Sequence, residues 1–388
     1  MYAQHTTPQT PRIRVRYGAG CQPGGLPAAP LAPAAAGYAT GPAPVLRARD
    51  PAALHTLAGA TMGTTWSVRL GNPGFAPLQP VQTAVQQALD TVVQQMSHWE
   101  ADSEISRFNR AEAGVWQVIS PEFMEVMACA LHWSRASQGA WDPTVGPLVD
   151  AWGFGPRANP LADHRAQLPH PQRLQAARAR VGFERLQLSA AERRVLQPGG
   201  AQLDLSGIAK GFGVDLVART LQRLGFTDFL VEVGGELRAS GLRPDGLPWR
   251  VQIAGVIDGV GGAYAASSRQ RTPASRAPRV LPLRDMAVAT SGDHWHAFDL
   301  GGRRYSHTLD PRTGEPVLHR LSSVTVLHAE CMQADALATV LTVLGPHEGL
   351  AFAQHHGIAA LLCEHTDAGL VVHTSAALEQ LDLPARVG

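Results

Sequence analysis

Hydrophobic and polar positions in the first part of the chain follow two patterns. An alternating pattern begins at Thr64 and predicts a half-buried strand whose inner face carries Trp66, Val68 and Leu70. Between residues 81 and 96, apolar positions recur at three- and four-residue steps, which predicts an amphipathic helix that ends near Ser97. A second helix is predicted over residues 123–137. We expect the apolar stripe of the first helix to belong to the core.

The second half of the chain mixes helical and strand patterns in an irregular order. Helices are predicted from just after Asp204 to Leu224 and over residues 333–343. The predicted strands cover residues 229–233, 251–253, 286–290, 323–328 and 358–363. A Gly234-Gly235 break follows the first of them. The sequence shows no internal repeat. This order of elements indicates a mixed α/β fold.

Three segments lack both patterns. Residues 1–50 contain 25 Ala, Gly or Pro residues and one acidic residue, so we expect a disordered leader before a single domain over residues 51–388. Within that domain, residues 156–172 indicate a loop-rich insertion and residues 258–277 a surface excursion. The segment Gly18-Ala19-Gly20-Cys21 is similar to a lipoprotein cleavage box, but no apolar segment precedes it. The sequence therefore does not support an export signal.

Composition narrows the class of protein. With 45% hydrophobic residues, 17% charged residues and a net charge of +1, the chain lacks the positive excess of a nucleic-acid-binding protein. It has no run of 18 apolar residues, so we expect no membrane-spanning helix. Its four cysteines form no CxxC pair, which argues against a zinc site or a disulfide scaffold. Of the 33 lysine and arginine residues only Lys210 is a lysine, and its ammonium group is more compact than a guanidinium.

Two short segments carry candidate chemistry. Asp335 and Thr339 are four residues apart on a predicted helix, so their carboxylate and hydroxyl share one face and suit a hard cation such as Mg²⁺. The alternative is a structural helix with one buried polar turn. Residues 204–211 form a glycine-containing turn that opens a helix and carries Asp204 and Lys210. Exposed amides at a helix start, together with an ammonium group, attract a phosphorylated ligand.

A series of short motifs occurs in order between Thr61 and Leu344. The motifs are Thr61–Thr64, Met96-Ser97 with Ser103–Asn109, Asp142–Val149, Trp152–Gly155, Leu203–Gly213, Val233–Glu236, Thr290–Asp293, Tyr305–His307 with Asp310–Gly314, and Ala334–Thr339. This series resembles the ApbE family, the FAD:protein FMN transferases. The resemblance implies a mixed α/β fold of two closely joined lobes with FAD in the cleft between them.

The resemblance also implies a reaction and a set of site residues. The enzyme would split FAD at its diphosphate in a Mg²⁺-dependent reaction, attach FMN to a Thr or Ser hydroxyl of a target flavoprotein, and release AMP. The residues implied to contact FAD are Met62, Trp99, Ala140, Trp141, Asp142, Asp204, Lys210 and Leu309. The implied metal ligands are the Gly207 carbonyl, Asp335, Ala338 and Thr339. His307 would be the general base that accepts the proton of the attacking hydroxyl.

Two other functions fit the same residues. One is a Mg²⁺-dependent FAD pyrophosphatase, in which water attacks and FMN and AMP are released. The other is a flavin-binding protein without turnover. The family implies acceptors in respiratory membrane complexes with a Ser/Thr-Gly-Ala-Thr-like motif, and no nucleic-acid partner. It also implies a location on the periplasmic side of the inner membrane, whereas the absence of an apolar leader segment leaves a cytoplasmic location open.

Overall fold

Six segments of the chain define the fold. The computed structural model describes residues 53–155, 168–253, 279–292, 297–300, 303–367 and 369–381. The predicted leader at residues 1–50 and the predicted excursion at residues 258–277 lie outside these segments. Residues 156–167 of the predicted insertion also lie outside them. All three expectations therefore stay predictions.

Helices and strands alternate irregularly, and the mixed α/β fold is confirmed. The helices are α1 (Gln79–Met96), α2 (Glu104–Arg110), α3 (Pro121–Ala136), α4 (Gly146–Trp152), α5 (Pro171–Arg178), α6 (Ala209–Arg223), α7 (Cys331–His355) and α8 (Ala376–Gln380). The strands are β1 (Leu54–Thr61), β2 (Thr64–Gly71), β3 (Trp116–Val118), β4 (Gln187–Ser189), β5 (Arg194–Leu196), β6 (Phe229–Val233), β7 (Glu236–Ser240), β8 (Trp249–Ile253), β9 (Arg279–Leu283), β10 (Ala287–Gly292), β11 (Ala297–Leu300), β12 (Arg303–Ser306), β13 (Leu309–Asp310), β14 (Glu315–Pro316), β15 (Leu321–His328), β16 (Ala359–Thr366) and β17 (Gly369–Thr374). The predictions for α1, α3, α6, β2, β6, β8, β10, β15 and β16 are confirmed.

An eight-stranded sheet, antiparallel between all neighbours, organises the fold. Its strand order is β1-β2-β6-β7-β10-β15-β16-β17. Strand β2 buries Trp66, Val68 and Leu70, as its alternation predicts. Strand β1 escaped prediction because its inner face has few apolar side chains. Residue 59 lies on that face and must be glycine, because a Cβ there would lie 2.5 Å from the indole nitrogen of Trp66.

Helices cover one face of the sheet, and a hairpin covers the other. Helices α1 and α6 pack on β1, β2 and β6 through an apolar cluster that includes Leu89 and Val217. Helix α7 packs along β10 and β15, and its cluster continues into α2, α3 and β5. On the opposite face, the β8–β9 hairpin and α8 bury Trp249, Leu283 and Leu378 against the sheet. The N-terminal ends of α6 and α7 therefore meet beside the sheet, within the core.

Helix α7 is longer than the sequence pattern predicts. The pattern predicts residues 333–343, whereas the helix runs from Cys331 to His355. By length and composition alone it could cross a membrane, and it is the one helix of this kind in the described segments. More than half of its most apolar window is buried inside the fold, against α6, β10 and β15. Core helices meet the same length and composition criteria, so we draw no inference about a membrane.

A break divides α7 at Gly345, where the backbone turns left-handed with φ 80° before Pro346. Proline has no amide hydrogen, so the carbonyl of Thr342, four residues earlier, lacks its usual helical donor. The ring of His319 replaces that donor, since Nε2–H donates to Thr342 O at 2.6 Å while Nδ1 accepts from Leu321 N at 3.4 Å. The pattern of the two bonds assigns the proton of the neutral ring to Nε2.

Candidate active site

The candidate site lies where the first turn of α6 meets the β6–β7 hairpin and α7. Lys210, the second residue of α6, donates a hydrogen bond of 2.5 Å from Nζ to Glu236 Oε1 at the start of β7. The hairpin turn is close to the lysine stem, since a Cβ at Gly234 would lie 3.4 Å from Lys210 Cδ and 2.8 Å from Thr64 Cγ2. Gly234 also has a left-handed φ of 57°. Glycine is therefore required at this turn for both conformation and space.

Asp335 approaches the same turn from α7. Its Oδ2 accepts a hydrogen bond of 2.9 Å from Gly211 N, the residue after the lysine. A Cβ at Gly211 would lie 2.4 Å from the carbonyl oxygen of Cys331 and 2.7 Å from Asp335 Cβ, so only glycine allows α6 and α7 to pack this closely. The structure thus brings Asp335 and Lys210 to the same side of the molecule, although 125 residues separate them in the sequence.

Gly207 and Thr339 extend the site by one helical turn. A Cβ at Gly207 would lie 2.9 Å from Thr339 Oγ1 and 3.3 Å from the indole nitrogen of Trp141. Thr339 lies one turn after Asp335 on α7, as the four-residue spacing predicts, and its hydroxyl contacts the Asp335 carbonyl at 3.4 Å. Gly207, Thr339 and Trp141 therefore come from three separate parts of the chain and meet at one point.

Charges in this group influence one another strongly. Burial raises the pKa of Glu236 to about 8, and the negative charge of Asp335 adds to the rise while Lys210 opposes it. Burial also raises the pKa of Asp335, against the opposing effects of Lys210 and of the Gly211 amide. For Lys210, burial alone would lower the pKa, but the charges of Asp335 and Glu236 outweigh it and raise the pKa. Two buried carboxyl groups therefore share one ammonium group.

Met62 lies on the sheet side of the same region. It occupies the turn between β1 and β2 with a left-handed φ of 48°. Met62 Cε lies close to α6, since a Cβ at Gly213 of that helix would lie 3.2 Å from it. Met62 packs against apolar clusters on both sides of α6. The neighbouring Thr64 contacts the turn at Gly234, so the two hairpins and α6 form one continuous surface.

Asp204 and Trp99 form a second part of the site. Asp204 Oδ1 accepts from the amide of Ser206 at 2.9 Å and from its hydroxyl at 2.6 Å, which shapes the turn before α6. His98 Nδ1 lies 3.9 Å from the same carboxylate oxygen, and the rings of His98 and Trp99 are 5.7 Å apart. Trp99 is 65% exposed, which is unusual for so large an apolar ring. Its exposed ring could stack on a flat ligand.

Ala140, Trp141 and Asp142 form a buried loop. Asp142 Oδ1 accepts from the amide and the hydroxyl of Thr144 at 2.7 and 2.6 Å, and Oδ2 accepts from Phe183 N at 2.9 Å. Burial raises the pKa of Asp142, although these hydrogen bonds oppose the rise. Both of its oxygens hold the loop in place, and the loop carries the indole of Trp141 to Gly207.

His307 and Leu309 lie beyond this loop. His307 is half-buried, and its ring lies 6.4 Å from that of Phe154 in an edge-to-face arrangement. Leu309 is buried in an apolar cluster with Tyr305 and Trp152. The turn that follows reaches the loop of Trp141, since Arg312 Cγ would lie 3.7 Å from a Cβ at Gly139. His307 therefore lies next to Phe154, in the segment that leads into this turn.

The structure brings two residues into the site for which the sequence indicates no role. Glu236 falls within the Val233–Glu236 motif, and it is the bonded partner of the sole lysine. A half-buried lysine needs a carboxylate, and an acid directly after a Gly-Gly turn was the available signal. His98 lies against Asp204, and only its place beside Trp99 could have indicated this.

The donor atoms fit a hard divalent cation. Asp335 supplies a buried carboxylate, Thr339 a hydroxyl, and Gly207 a main-chain position that a side chain would fill. In the described segments no three His, Cys, Asp or Glu side chains form a cluster that could hold a metal, so a cation here would depend on hydroxyl and main-chain oxygens beside the one carboxylate. Ala338 is buried, and its carbonyl already accepts from Thr342 Oγ1 at 2.8 Å. A carbonyl oxygen has a second lone pair, so this bond leaves Ala338 able to bind a cation, and all four predicted ligands stay predictions.

Comparison with known proteins gives the class. The ApbE family model matches residues 62–362. A FAD:protein FMN transferase of Vibrio cholerae is 40% identical over 332 residues, which are 85% of this chain and 93% of that protein. The Escherichia coli K12 FAD:protein FMN transferase is 32% identical over 309 residues, which are 79% of this chain and 83% of that protein.

Solved structures agree with the sequence matches. The flavin transferase ApbE from Vibrio cholerae aligns with a TM-score of 0.73 at 38% identity, over 84% of this chain and 99% of that chain. The apo flavinyl transferase ApbE of Pseudomonas stutzeri aligns with a TM-score of 0.75 at 36% identity, over 86% and 98% of the two chains. Fold and matches together define a flavin-transferring enzyme of the FAD:protein FMN transferase class. The chain belongs to the ApbE family.

Proposed function

We propose that the protein transfers the FMN part of FAD to a Ser or Thr hydroxyl of an acceptor flavoprotein, in a Mg²⁺-dependent reaction that releases AMP. The observation that carries this proposal is the meeting of Lys210 and Asp335. Thr339, one turn after Asp335, and Gly207, three residues before Lys210, lie close to each other beside them. A diphosphate needs both a cation and an ammonium group to offset its charge as it reacts. The exposed ring of Trp99 supports the binding of a flat flavin or adenine ring.

The proposed reaction exchanges a phosphoanhydride bond for a phosphoester bond. The acceptor oxygen attacks the phosphorus that carries riboflavin, the bond to the second phosphate breaks, and AMP leaves with the bridging oxygen. His307 accepts the proton of the attacking hydroxyl. Lys210 offsets the charge on the nonbridging oxygens. Asp335, Thr339 and the Gly207 carbonyl would hold Mg²⁺, which would supply further electrostatic stabilisation of the diphosphate.

The acceptor hydroxyl is proposed to lie in a Ser/Thr-Gly-Ala-Thr-like segment of a respiratory membrane complex. What supports a protein acceptor is the name shared by the matched relatives, which are FAD:protein FMN transferases. A protein substrate needs an open approach to the site, and His307 is half-buried rather than enclosed in the core. Replacement of the motif hydroxyl by alanine in the acceptor should abolish its labelling.

One experiment separates the proposed function from its alternatives. The purified protein is incubated with FAD, Mg²⁺ and an acceptor domain, and the acceptor mass and the nucleotides are measured. We expect the acceptor to gain FMN less one water, with AMP in equal amount. Free FMN and AMP with an unlabelled acceptor would indicate a pyrophosphatase, and unchanged FAD a binding protein.

The role of His307 is tested in the same assay. We expect His307→Ala to abolish transfer and to retain FAD binding, because the base acts only on the hydroxyl proton. A matched control is His373→Ala, since His373 lies on the edge strand β17 and pairs there with Glu364 at 3.0 Å. Full transfer by the His307→Ala variant would contradict its assignment as base.

A further inference from the structure

Glu236 has an environment that its bond to lysine does not fully explain. It is the first residue of β7, directly after the Gly234-Gly235 turn, and it is 2% exposed. Oε1 accepts from Lys210 Nζ, whereas Oε2 is buried and finds no hydrogen-bond partner among the described residues. Burial of a carboxyl oxygen that has no hydrogen-bond partner is costly, whether or not the group is ionised. Because Glu236 is buried in the candidate active site despite this cost, we expect it to have a functional role there.

Lys210 is attracted by two carboxylates but is bonded to one. Asp335 and Glu236 both act on the ammonium group electrostatically, and the bond goes to Glu236. The lysine stem runs beside Gly234, since a Cβ there would lie 3.4 Å from Lys210 Cδ, and the ammonium group bonds to the β6–β7 hairpin through Glu236. Asp335 instead takes its hydrogen bond from a neutral donor, the amide of Gly211. Among the described residues, no lysine, arginine or histidine forms a direct ion pair with Asp335.

We propose that Glu236 is a positioning residue that holds the Lys210 ammonium against β7 and thereby keeps the Asp335 carboxylate available to a divalent cation. The proposal rests on the Mg²⁺ site of the proposed function. Without Glu236, the attraction between Lys210 and Asp335 has no competitor, and the flexible lysine would pair with the aspartate. An ammonium group paired with Asp335 would compete with Mg²⁺ for its oxygens.

The test measures Mg²⁺ binding alone, by isothermal titration calorimetry on the full chain without FAD. Glu236→Met keeps the length of the side chain but removes both oxygens, and Lys210→Met removes the ammonium group. We expect E236M to bind Mg²⁺ on the order of tenfold more weakly than the wild-type protein, or about 1.4 kcal/mol. We expect K210M to bind at least as tightly as wild type. The decisive variant is K210M/E236M, which should regain affinity to within about threefold of wild type.

Two further variants separate positioning from charge and from folding. E236Q keeps an oxygen that accepts from Lys210 Nζ but carries no charge, so its Mg²⁺ affinity should stay within about threefold of wild type. Glu232→Gln is the matched control, since Glu232 lies on the same hairpin and its carboxylate bonds only to Gly235 N and Ser67 Oγ among the described residues. It should leave the affinity unchanged. Thermal unfolding of each variant shows that it is folded.

Recovery in the double variant is the result that a merely structural role cannot produce. If K210M/E236M binds Mg²⁺ as weakly as E236M, or if E236Q is as weak as E236M, the proposal is wrong. If E236M does not fold, the Mg²⁺ affinities of K210M/E236M and E236Q still test the proposal. The proposal requires both variants to bind Mg²⁺ with nearly the wild-type affinity. Failure of the wild-type protein to bind Mg²⁺ would overturn the proposal together with the metal site. Normal Mg²⁺ binding without flavin transfer would instead count against the proposed function only.

Discussion

Gly211→Ala tests the contact between α6 and α7 that brings Lys210 and Asp335 together. The new Cβ would lie 2.4 Å from the carbonyl oxygen of Cys331 and 2.7 Å from Asp335 Cβ. The first of these atoms belongs to the backbone and the second is fixed to it, so neither can rotate away. The helices must separate, and the 2.9 Å bond from Gly211 N to Asp335 Oδ2 must lengthen.

The magnitude follows from two opposing terms. Overpacking in a core costs about 1–3 kcal/mol, and more where backbone is involved. Replacement of glycine by alanine inside a helix stabilises by about 1 kcal/mol. Gly213→Ala is the matched control, because it lies two residues later in α6 and its Cβ would lie 3.2 Å from the flexible end of Met62 and at ordinary contact distance, 3.5 Å, from Leu89 Cδ2. The gain from replacing glycine inside the helix is common to both variants and cancels, so we expect them to differ by the overpacking cost, roughly 1–3 kcal/mol in the free energy of unfolding.

Urea unfolding followed by circular dichroism measures that difference, provided the slopes of the two transitions agree. Titration of Mg²⁺ into the metal-free proteins provides a second measurement, since displacement of Asp335 should weaken binding in Gly211→Ala. Equal unfolding free energies for the two alanine variants would refute the close approach of α6 and α7. They would also remove the structural basis for placing Asp335 beside Lys210.

Three further predictions concern other parts of the fold. His319→Ala should lower the free energy of unfolding by about 1–3 kcal/mol, because it leaves the Thr342 carbonyl without a donor, and Pro346→Ala added to it should restore part of the loss in urea unfolding. Trp99→Ala should raise the KM for FAD several-fold and change the unfolding free energy by less than about 0.5 kcal/mol, because the ring is exposed. The pKa of Glu236 is raised from 4.5 to about 8, so at intermediate pH the folded state holds a proton that the unfolded state releases. The stability that this proton contributes is complete below about pH 4.5 and is lost as the pH rises through about 8. The Tm of the metal-free protein, measured by thermal unfolding from pH 5 to 9, should therefore fall less steeply with pH for Glu236→Gln than for wild type. Identical slopes of Tm against pH would contradict the raised pKa.

The fold was predictable wherever one face of an element is continuously apolar. Helix α1 buries Val81, Val85, Leu89 and Val92 as its spacing predicts, although Gln95 is buried in addition and Val93 only half-buried. Strand β1 was missed because glycine and threonine share its inner face, where the ring of Trp66 from the next strand fills the space. The end of α7 was missed because the predicted boundary at residue 343 precedes the break at Gly345, beyond which the helix resumes.

The candidate site was predictable as separate pieces. A four-residue spacing indicated that Asp335 and Thr339 share a helix face, and the scarcity of lysine drew attention to Lys210. Neither signal contains a distance between the two segments. Glu236 received no role because its importance arises from its neighbours, and an acidic residue after two glycines is common on protein surfaces. Asp142 also acquired a loop-holding function that its motif did not indicate.

Amino-acid order alone determined which residues form helices and strands, which faces are buried, and which family the motifs resemble, because these depend on neighbours a few positions apart. Tertiary structure decided that Gly211 lets α6 reach α7, that Asp335 bonds to a neutral amide, and that Glu236 holds Lys210. Those contacts join residues up to 124 positions apart and depend on atoms that must fit within a few tenths of an ångström. Packing alone can specify such a fit, since close-packed interiors leave no room for alternatives.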